Sequence, residues 1–558
     1  MSKTGAQILV DTLIDEGTEV LYGIPGGVVI PIFDVLYDAG LRVMLMRHEQ
    51  GAGHAADGYA RASGRVGVCI ATSGPGATNL TTAIATANFD SVPLVAITGQ
   101  VATHLIGNDA FQEADTTGIM RPITNHSFLV KHTDDLGPTI RAAFHIARTG
   151  RPGPVVVDLP VDVSKGQTDL PTPKTVRLPG YKPHVKGNLR QIRLAADAIN
   201  QSARPLIYAG GGVIIADCAD GLRTLATQGN IPVTTTLMGL GAFPEDHPLA
   251  LHMLGMHGTA YANYAMQNAD CIIAIGARFD DRITGKLDEF APRRETIVHI
   301  DIDPASIAKN IPVDIPVVGD AAGILPELAK LITPAERTEW LATIADWKAK
   351  HPLTYNTTDG TLKPQHIIEQ IHQATDGNAI ICTEVGQNQM WAAQWYTYTR
   401  PRQFISSGGL GTMGFGFPAA IGAQVACPDR PVFDIAGDGS IQMNIQELAT
   451  VVREKLPVKI AILNNGYLGM VRQWQEMFFD RRYSSTILAE GNPDFVKVAE
   501  AYGAAGIRVE HTDQVRDAID HALAIDGPVV LDFRISREEN VFPMVPAGEA
   551  IHRMKGLA

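Results

Sequence analysis

Short apolar runs rich in Val and Ile return along this chain with helix-like stretches between them, and that alternation restricts the fold more than any other feature. They include "RVGVCIATSG", "VPLVAITGQ", "GPVVVDLP", "RPLIYAGGG", "CIIAIGARF", "TIVHIDID", "AIICTEVGQ", "RPVFDIAGDGS", "VKIAILNNG" and "GPVVLDFRIS". A strand apolar on both sides must be covered on both faces, and strands separated by helices pair in parallel. The chain has 558 residues, too many for one core. The expectation is an α/β protein of three doubly wound parallel-sheet domains, over 1–165, 188–335 and 360–545. Segments 166–187, rich in Pro, Gly and Lys, and 336–359 are predicted linkers.

Two parallels suggest that the first and third domains are an internal duplication. "GRVGVCIATSGPGATNL" (64–80) matches "DRPVFDIAGDGSIQMNI" (429–445) in its order of strand, glycine turn and helix. "GPVVVDLP" (153–160) matches "GPVVLDFR" (527–534), and each closes its domain. A duplicated pair often places an active site between its copies.

Charge and composition exclude several function classes. The formal net charge of −13 argues against nucleic acid or an anionic membrane as the main partner. No apolar run reaches membrane-spanning length. The five cysteines, at 69, 218, 271, 382 and 427, form no Cys-x-x-Cys pair, so they read as thiols in a reducing compartment. "MSKTGAQILVDTLIDEG" is an acidic amphipathic helix rather than a signal or transit peptide. A cytoplasmic setting is expected.

The strongest chemical signal is "GDGSIQMNIQELATVVREKLPVKIAILNN" (437–465). A glycine turn between a strand and a helix brings backbone N–H groups against a diphosphate. Asp438 and Asn465 fall at the ends of two predicted strands. One carboxylate with amide and backbone oxygens suits Mg²⁺, which keeps few protein ligands besides phosphate oxygens. Glu49, in "RHEQGAGHAADGYAR" (47–61), sits between an apolar strand and a helix packed with Gly and Ala. Alone it reads as a carboxylate at a helix N-terminus, favoured by the helix dipole.

The long array resembles the thiamine diphosphate signature of the decarboxylase and transketolase superfamily. The whole chain resembles the catalytic large subunits of acetolactate synthase (acetohydroxyacid synthase). "YGIPGG" (22–27), "SGPGATN" (73–79), "DAFQEAD" (109–115), "GRPGPV" (150–155), "LGMHGTAYANYAMQNAD" (254–270), "GARFDDR" (276–282), "HIDIDP" (299–304), "GYLGMVRQWQ" (466–475) and "NVFPMVPAG" (540–548) carry that likeness across all three domains. The resemblance implies that the Asp438 and Asn465 side chains and the Tyr467 carbonyl hold Mg²⁺. It places Gly437, Gly439, Ser440, Gln387, Asn388 and Met470 at the cofactor, with Met413 under its thiazolium. Glu49 would hydrogen-bond the aminopyrimidine and promote the proton relay. In the family that glutamate comes from a second chain, so a homodimer or homotetramer is expected, together with a small regulatory subunit.

The resemblance further implies FAD, in a structural role, on the middle domain. Arg151, Gly211, Gly212, His257, Arg278, Asp301 and Asp320 would contact it, and "GARFDDR" and "HIDIDP" lie where doubly wound sheets bind nucleotides. Phe111, Gln112, Met256, Arg282 and Trp474 match residues lining the substrate site, for pyruvate and 2-oxobutanoate. An arginine suits a keto acid because guanidinium pairs a carboxylate through two hydrogen bonds. Trp474 could instead be a core aromatic, but its neighbours Arg472, Gln473, Gln475 and Glu476 argue against a fully buried position. One departure stands out. The family commonly has lysine directly after "VDLP", and this chain has Val161, which removes a cation near anionic substrates. The rival readings are a pyruvate oxidase, a glyoxylate carboligase-like enzyme, in which Val replaces Glu49, and a non-catalytic flavoprotein.

Overall fold

In the computed structural model, which describes residues 2–557, three six-stranded sheets are assembled wholly from parallel pairs. The first sheet runs across Arg42–Leu45, Val20–Gly23, Gly67–Ala71, Leu94–Gln100, Pro154–Pro160 and His126–Leu129. The third runs across Phe404–Ile405, Ile380–Thr383, Val432–Gly437, Lys459–Asn464, Val529–Arg534 and Ala505–Val509. Numbered by chain order within each sheet, both read 2-1-3-4-6-5. The paired motifs fall on matching strands, Gly67–Ala71 with Val432–Gly437 as third and Pro154–Pro160 with Val529–Arg534 as sixth. The duplication seen in the sequence is therefore a duplication of topology.

The middle sheet differs. It runs across Ala250–Met253, Val233–Thr235, Pro205–Ala209, Cys271–Ile275, Thr296–Asp301 and Ile315–Val318, the order 3-2-1-4-5-6. This is the doubly wound order whose crevice lies between its first and fourth strands.

Alternation along each strand explains why both faces need helices. In Val68–Ala71, Val68 and Ile70 point into a core with the helices Gly5–Asp15 and Leu136–Arg148. Cys69 and Ala71 point the other way, toward the helix Glu49–Ser63. The third sheet divides likewise, with Phe433 and Ile435 on one side and Val432 and Ala436 on the other. The inner faces of the first and third sheets share one core, which mixes Tyr22, Ala55 and Ala87 with Phe417, Ile421 and Ile460. The two duplicated domains are thus fused through a common interior.

The join is made by the helices Glu49–Ser63 and Gly416–Ala426. They touch backbone to backbone: a Cβ built on Gly422 would overlap the Ala55 carbonyl, and one on Gly58 would overlap that of Ala419. Small residues at these positions permit the approach. Gly422→Val is expected to cost about 1–3 kcal/mol or more by overpacking. Thermal melting checks this, and an unchanged melt would mean that the two helices separate freely.

Two expectations are corrected by the structure. Segment 336–359 is not simply a linker, because it holds the helix Thr338–Lys350. Trp340 and Ile344 of that helix are buried in the middle domain's core, so burial of these two apolar positions outweighs the segment's polar composition. The chain also continues past 545 instead of ending with the third domain. Its tail returns to the middle domain, where the Ile551 carbonyl accepts from Asn263 and Met544 pairs with Lys555. Segment 166–187 is largely irregular, apart from Gln167–Thr168, which pairs with Lys3–Thr4. Cys69, Cys218, Cys271 and Cys382 are buried, Cys427 is half-buried, and all five are free thiols.

Candidate active site

Strand ends of the third domain gather most of the predicted cofactor residues. Val432–Gly437 and Lys459–Asn464 are neighbours, so their carboxyl ends deliver Asp438 and Asn465 to one place. The turn between Gly437 and Ser440 is closed from within, since the Gly437 N–H donates to Ser440 Oγ at 3.1 Å. Asp438 is 1% exposed. One of its oxygens accepts from Asn492 Nδ2 at 2.6 Å, and the other has no hydrogen-bond partner among the described residues. Burial pushes its carboxyl up to about 6, against the opposing effect of the Asn492 hydrogen bond. A buried carboxylate oxygen without a donor is costly and is suited to a cation.

Asn465 donates to Gln387 Oε1 at 3.2 Å and accepts the Tyr467 N–H at 3.0 Å. Gln387 in turn donates to Gln473 at 2.9 Å and to the Glu539 carbonyl at 3.0 Å. Asn388 is fixed by the Glu384 and Ile435 carbonyls. Met413 reaches the same turn, as a Cβ on Gly439 would lie 4.0 Å from its methyl group. Among the described residues there is no cluster of three or more His, Cys, Asp or Glu suited to a metal. A single carboxylate with amide and carbonyl oxygens is a donor set of the kind Mg²⁺ accepts beside phosphate oxygens.

Met470 and Trp474 lie on the helix Gly469–Phe478 beside this array. Trp474 is half-buried, with its ring 5.5 Å from that of Phe478. The expectation that it avoids full burial holds, but the reason given for it does not. Arg472 and Gln473 are themselves fully buried. Arg472 pays for its burial through Glu476 at 2.7 Å, the Glu539 carbonyl and Asn540. Polar neighbours therefore do not mark an exposed face here.

A second group forms on the first domain. Glu49 opens the helix Glu49–Ser63 and accepts from Asn79 Nδ2 at 3.0 Å. The turn at Gly74 brings Gln112 alongside, its Cα 3.0 Å from where a Gly74 Cβ would sit. Phe111 is 89% exposed. Among the described residues no side-chain hydrogen bond joins this group to Asp438, Asn465 or Ser440 of the same chain. Met256 and Arg282 make a third group, joined by the Met256 N–H to the Arg282 carbonyl. The Met256 carbonyl also accepts from Val545 of the tail, which links them toward Gln473 through Val541.

The middle-domain residues line adjacent strand ends. Gly211 and Gly212 follow Pro205–Ala209, Arg278 follows Cys271–Ile275, Asp301 ends Thr296–Asp301, and Asp320 follows Ile315–Val318. Arg151 reaches in from the first domain to Asp303 at 3.1 Å, and Arg278 donates to the Phe89 carbonyl. Burial pushes the Asp301 carboxyl up to about 6. Asp320 is occupied as a cap, accepting the Ala322 N–H at 2.9 Å. His257 is buried, and burial pulls its imidazole down to about 4, so it is neutral beside the Pro543 carbonyl. Val161 starts the short helix Val161–Lys165 directly after the sixth strand of the first sheet.

Two contributors were not singled out from the sequence. Asn79 was visible as the last residue of "SGPGATN", whereas Asn492 lies in no motif and reaches Asp438 only through the fold.

Comparison with known proteins agrees with this geometry. Residues 3–119, 192–328 and 384–533 match the N-terminal TPP binding, central and C-terminal TPP binding domains of thiamine pyrophosphate enzymes. The chain is 51% identical to the acetolactate synthase large subunit of Mycobacterium tuberculosis, over 98% of this chain and 90% of that one. It is 50% identical to the probable acetolactate synthase large subunit of Methanocaldococcus jannaschii, over 98% and 94%. It is 47% identical to the acetolactate synthase isozyme 3 large subunit of Escherichia coli, over 99% and 98%. With the match running through all three sheets and both strand-end clusters, the chain belongs to the thiamine-diphosphate enzymes and, among them, to the acetolactate synthase large subunits.

Proposed function

We infer that this chain decarboxylates pyruvate and joins the remaining two-carbon unit to a second 2-oxo acid. Pyruvate as acceptor gives 2-acetolactate, and 2-oxobutanoate gives 2-aceto-2-hydroxybutanoate, the first common step toward branched-chain amino acids. One observation carries the reading: the buried Asp438, with an unpartnered oxygen, stands beside Asn465 on a Gly-Asp-Gly-Ser turn. These residues fit Mg²⁺ and a diphosphate. Asp438, Asn465 and the Tyr467 carbonyl would hold the cation, and Gly439 and Ser440 would face the phosphates. Thiamine diphosphate, when bound, supplies the electron sink for decarboxylation. Glu49 would hold a proton at the aminopyrimidine, and Gln387, Asn388, Met413 and Met470 would fix the cofactor's orientation.

The lack of any side-chain hydrogen bond, among the described residues, between Glu49, Gln112 or Phe111 and the Asp438 group of the same chain fits a dimer in which each chain completes the other's site. The middle domain's strand order and its polar strand ends support FAD in the crevice, in a structural role, because the overall reaction transfers no electrons to it. Relatives named large subunits support a small regulatory partner. Among the described residues no helix is long and apolar enough to cross a membrane, and a cytoplasmic location fits the free cysteines.

The test is an assay of the purified protein with pyruvate, thiamine diphosphate, Mg²⁺ and FAD, scoring acetolactate against acetate. Acetate with steady flavin reduction would favour the oxidase reading instead.

Trp474 is proposed to set the choice of acceptor. A half-buried indole on the helix entering the site can pack against the acceptor's alkyl group. An added methylene is worth about 1–3 kcal/mol in such a pocket, or roughly 10–200-fold. Trp474→Leu is expected to lower the preference for 2-oxobutanoate while leaving acetolactate formation largely intact. Competition between the two oxo acids, with a melt on the same sample, measures this. An unchanged product ratio in a folded variant refutes it.

A further inference from the structure

The turn that launches Glu49 is held from the third domain. Arg47 and His48 precede the helix, so their N–H groups lie outside its hydrogen-bond ladder. Both donate to the carboxylate of Glu447, Arg47 at 3.0 and 3.2 Å to its two oxygens and His48 at 3.1 Å. The Thr450 hydroxyl steadies the same carboxylate at 2.6 Å. Glu447 is 0% exposed. Its fit against the helix is close, because a Cβ on Gly51 would lie 2.6 Å from Glu447 Oε1. The segment that carries Glu447 begins at the Gly437–Ser440 turn. Midway along it, Asn444 Nδ2 donates to the Gly414 carbonyl at 2.6 Å, next to Met413. One short stretch therefore touches the diphosphate turn, the Met413 loop and the root of Glu49.

We propose that Glu447 is a positioning residue for Glu49, fixing the main chain from which the reacting carboxylate projects. The proposal rests on the reading of Glu49 as the group that meets the aminopyrimidine. Asn79 orients the end of the Glu49 side chain, and Glu447 fixes its base. A group that must meet a fixed ring nitrogen has little tolerance, since a misplacement of about 1 Å can cost roughly 100-fold in rate. The plain alternative is that Glu447 only satisfies buried N–H groups and stabilises the join between the domains.

Three variants separate these readings, each made with Glu49 intact and again with Glu49→Gln, in protein saturated with thiamine diphosphate, Mg²⁺ and FAD. Glu447→Ala is expected to lower kcat about 10–100-fold with the pyruvate KM changed only a few-fold. Glu447→Gln keeps an amide oxygen for Arg47 and His48 and is expected to recover most of the rate. Gly51→Ala leaves the carboxylate in the chain but crowds it off the turn, and is expected to act like Glu447→Ala. With Glu49→Gln in place, all these losses are expected to vanish, because a residue acting through another is non-additive with it. Amide exchange at Arg47 and His48 should rise in Glu447→Ala and Gly51→Ala.

Equal losses in both backgrounds would overturn the proposal in favour of the plain structural role. Unchanged exchange, or unchanged kcat, would overturn it as well. If Glu447→Ala does not fold, Gly51→Ala decides. Full activity of Glu49→Gln would overturn the catalytic reading and the proposal together, and a retained exchange response would then locate the failure in Glu49 rather than in the clamp.

Discussion

Glu49→Gln is expected to bind its cofactors and lose most of its turnover, by about 10²–10⁴-fold, the usual worth of general acid–base catalysis. The amide is nearly the same size and can still accept a hydrogen bond, so packing around it should persist. Asn79, which donates to the Glu49 carboxylate at 3.0 Å, finds the same kind of oxygen in glutamine. What is lost is a group that can take and return a proton. The variant should therefore keep its melting temperature and its affinity for thiamine diphosphate, and fail only in rate. Steady-state kinetics at saturating cofactor, with a titration of thiamine diphosphate on the same preparation, measures both halves. Near-normal turnover would remove Glu49 from the chemistry and leave it as a helix N-terminal charge. The half-buried setting of Glu49 keeps the two outcomes apart, since no large burial cost changes on substitution.

The sequence announces the parts of this fold that repeat and hides those that depend on long-range closure. Runs such as Val155–Val157 are apolar at every position because both faces of the strand are covered, and such a run is visible without any structure. The duplicated strand orders were foreshadowed by two pairs of short motifs, because each pair sits at equivalent strands. The helix Thr338–Lys350 was hidden because its polar residues outnumber the two buried apolar anchors, Trp340 and Ile344. Arg472 misled for a related reason. Its burial is made tolerable by Glu476 and by the tail residues Glu539 and Asn540, and the tail is distant in sequence. Within the candidate site, the meeting of Asp438 and Asn465 was legible because a glycine turn and a strand end are local features. The clamp of Glu447 on Arg47 and His48 joins residues about four hundred positions apart, and no local pattern encodes it.

Asp438→Asn is expected to move stability in opposite directions with and without ligands. In the free protein, Asp438 keeps a carboxylate 1% exposed with one oxygen unpartnered, and burial raises its carboxyl to about 6. That arrangement is a standing cost, on the order of 1–3 kcal/mol for an unsatisfied buried group and more for a charged one. Asparagine removes the charge and keeps an oxygen for Asn492 Nδ2. The free variant should therefore melt above the wild type. With Mg²⁺ and thiamine diphosphate present the order should reverse. The wild type gains the binding energy of its ligands, and the variant has lost the only carboxylate among the proposed cation ligands. Removing an outer partner of a metal site typically costs about 10–100-fold in affinity, so losing the ligand itself should reach at least the upper end of that range. Calorimetric titration of thiamine diphosphate with and without Mg²⁺ gives the affinity, and melts of free and loaded protein give the two signs. A loaded variant as stable as the loaded wild type, with unchanged affinity, would exclude Asp438 as a ligand. A free variant that melts lower would mean instead that the buried carboxylate holds the fold together, and that its unpartnered oxygen is no preparation for a cation.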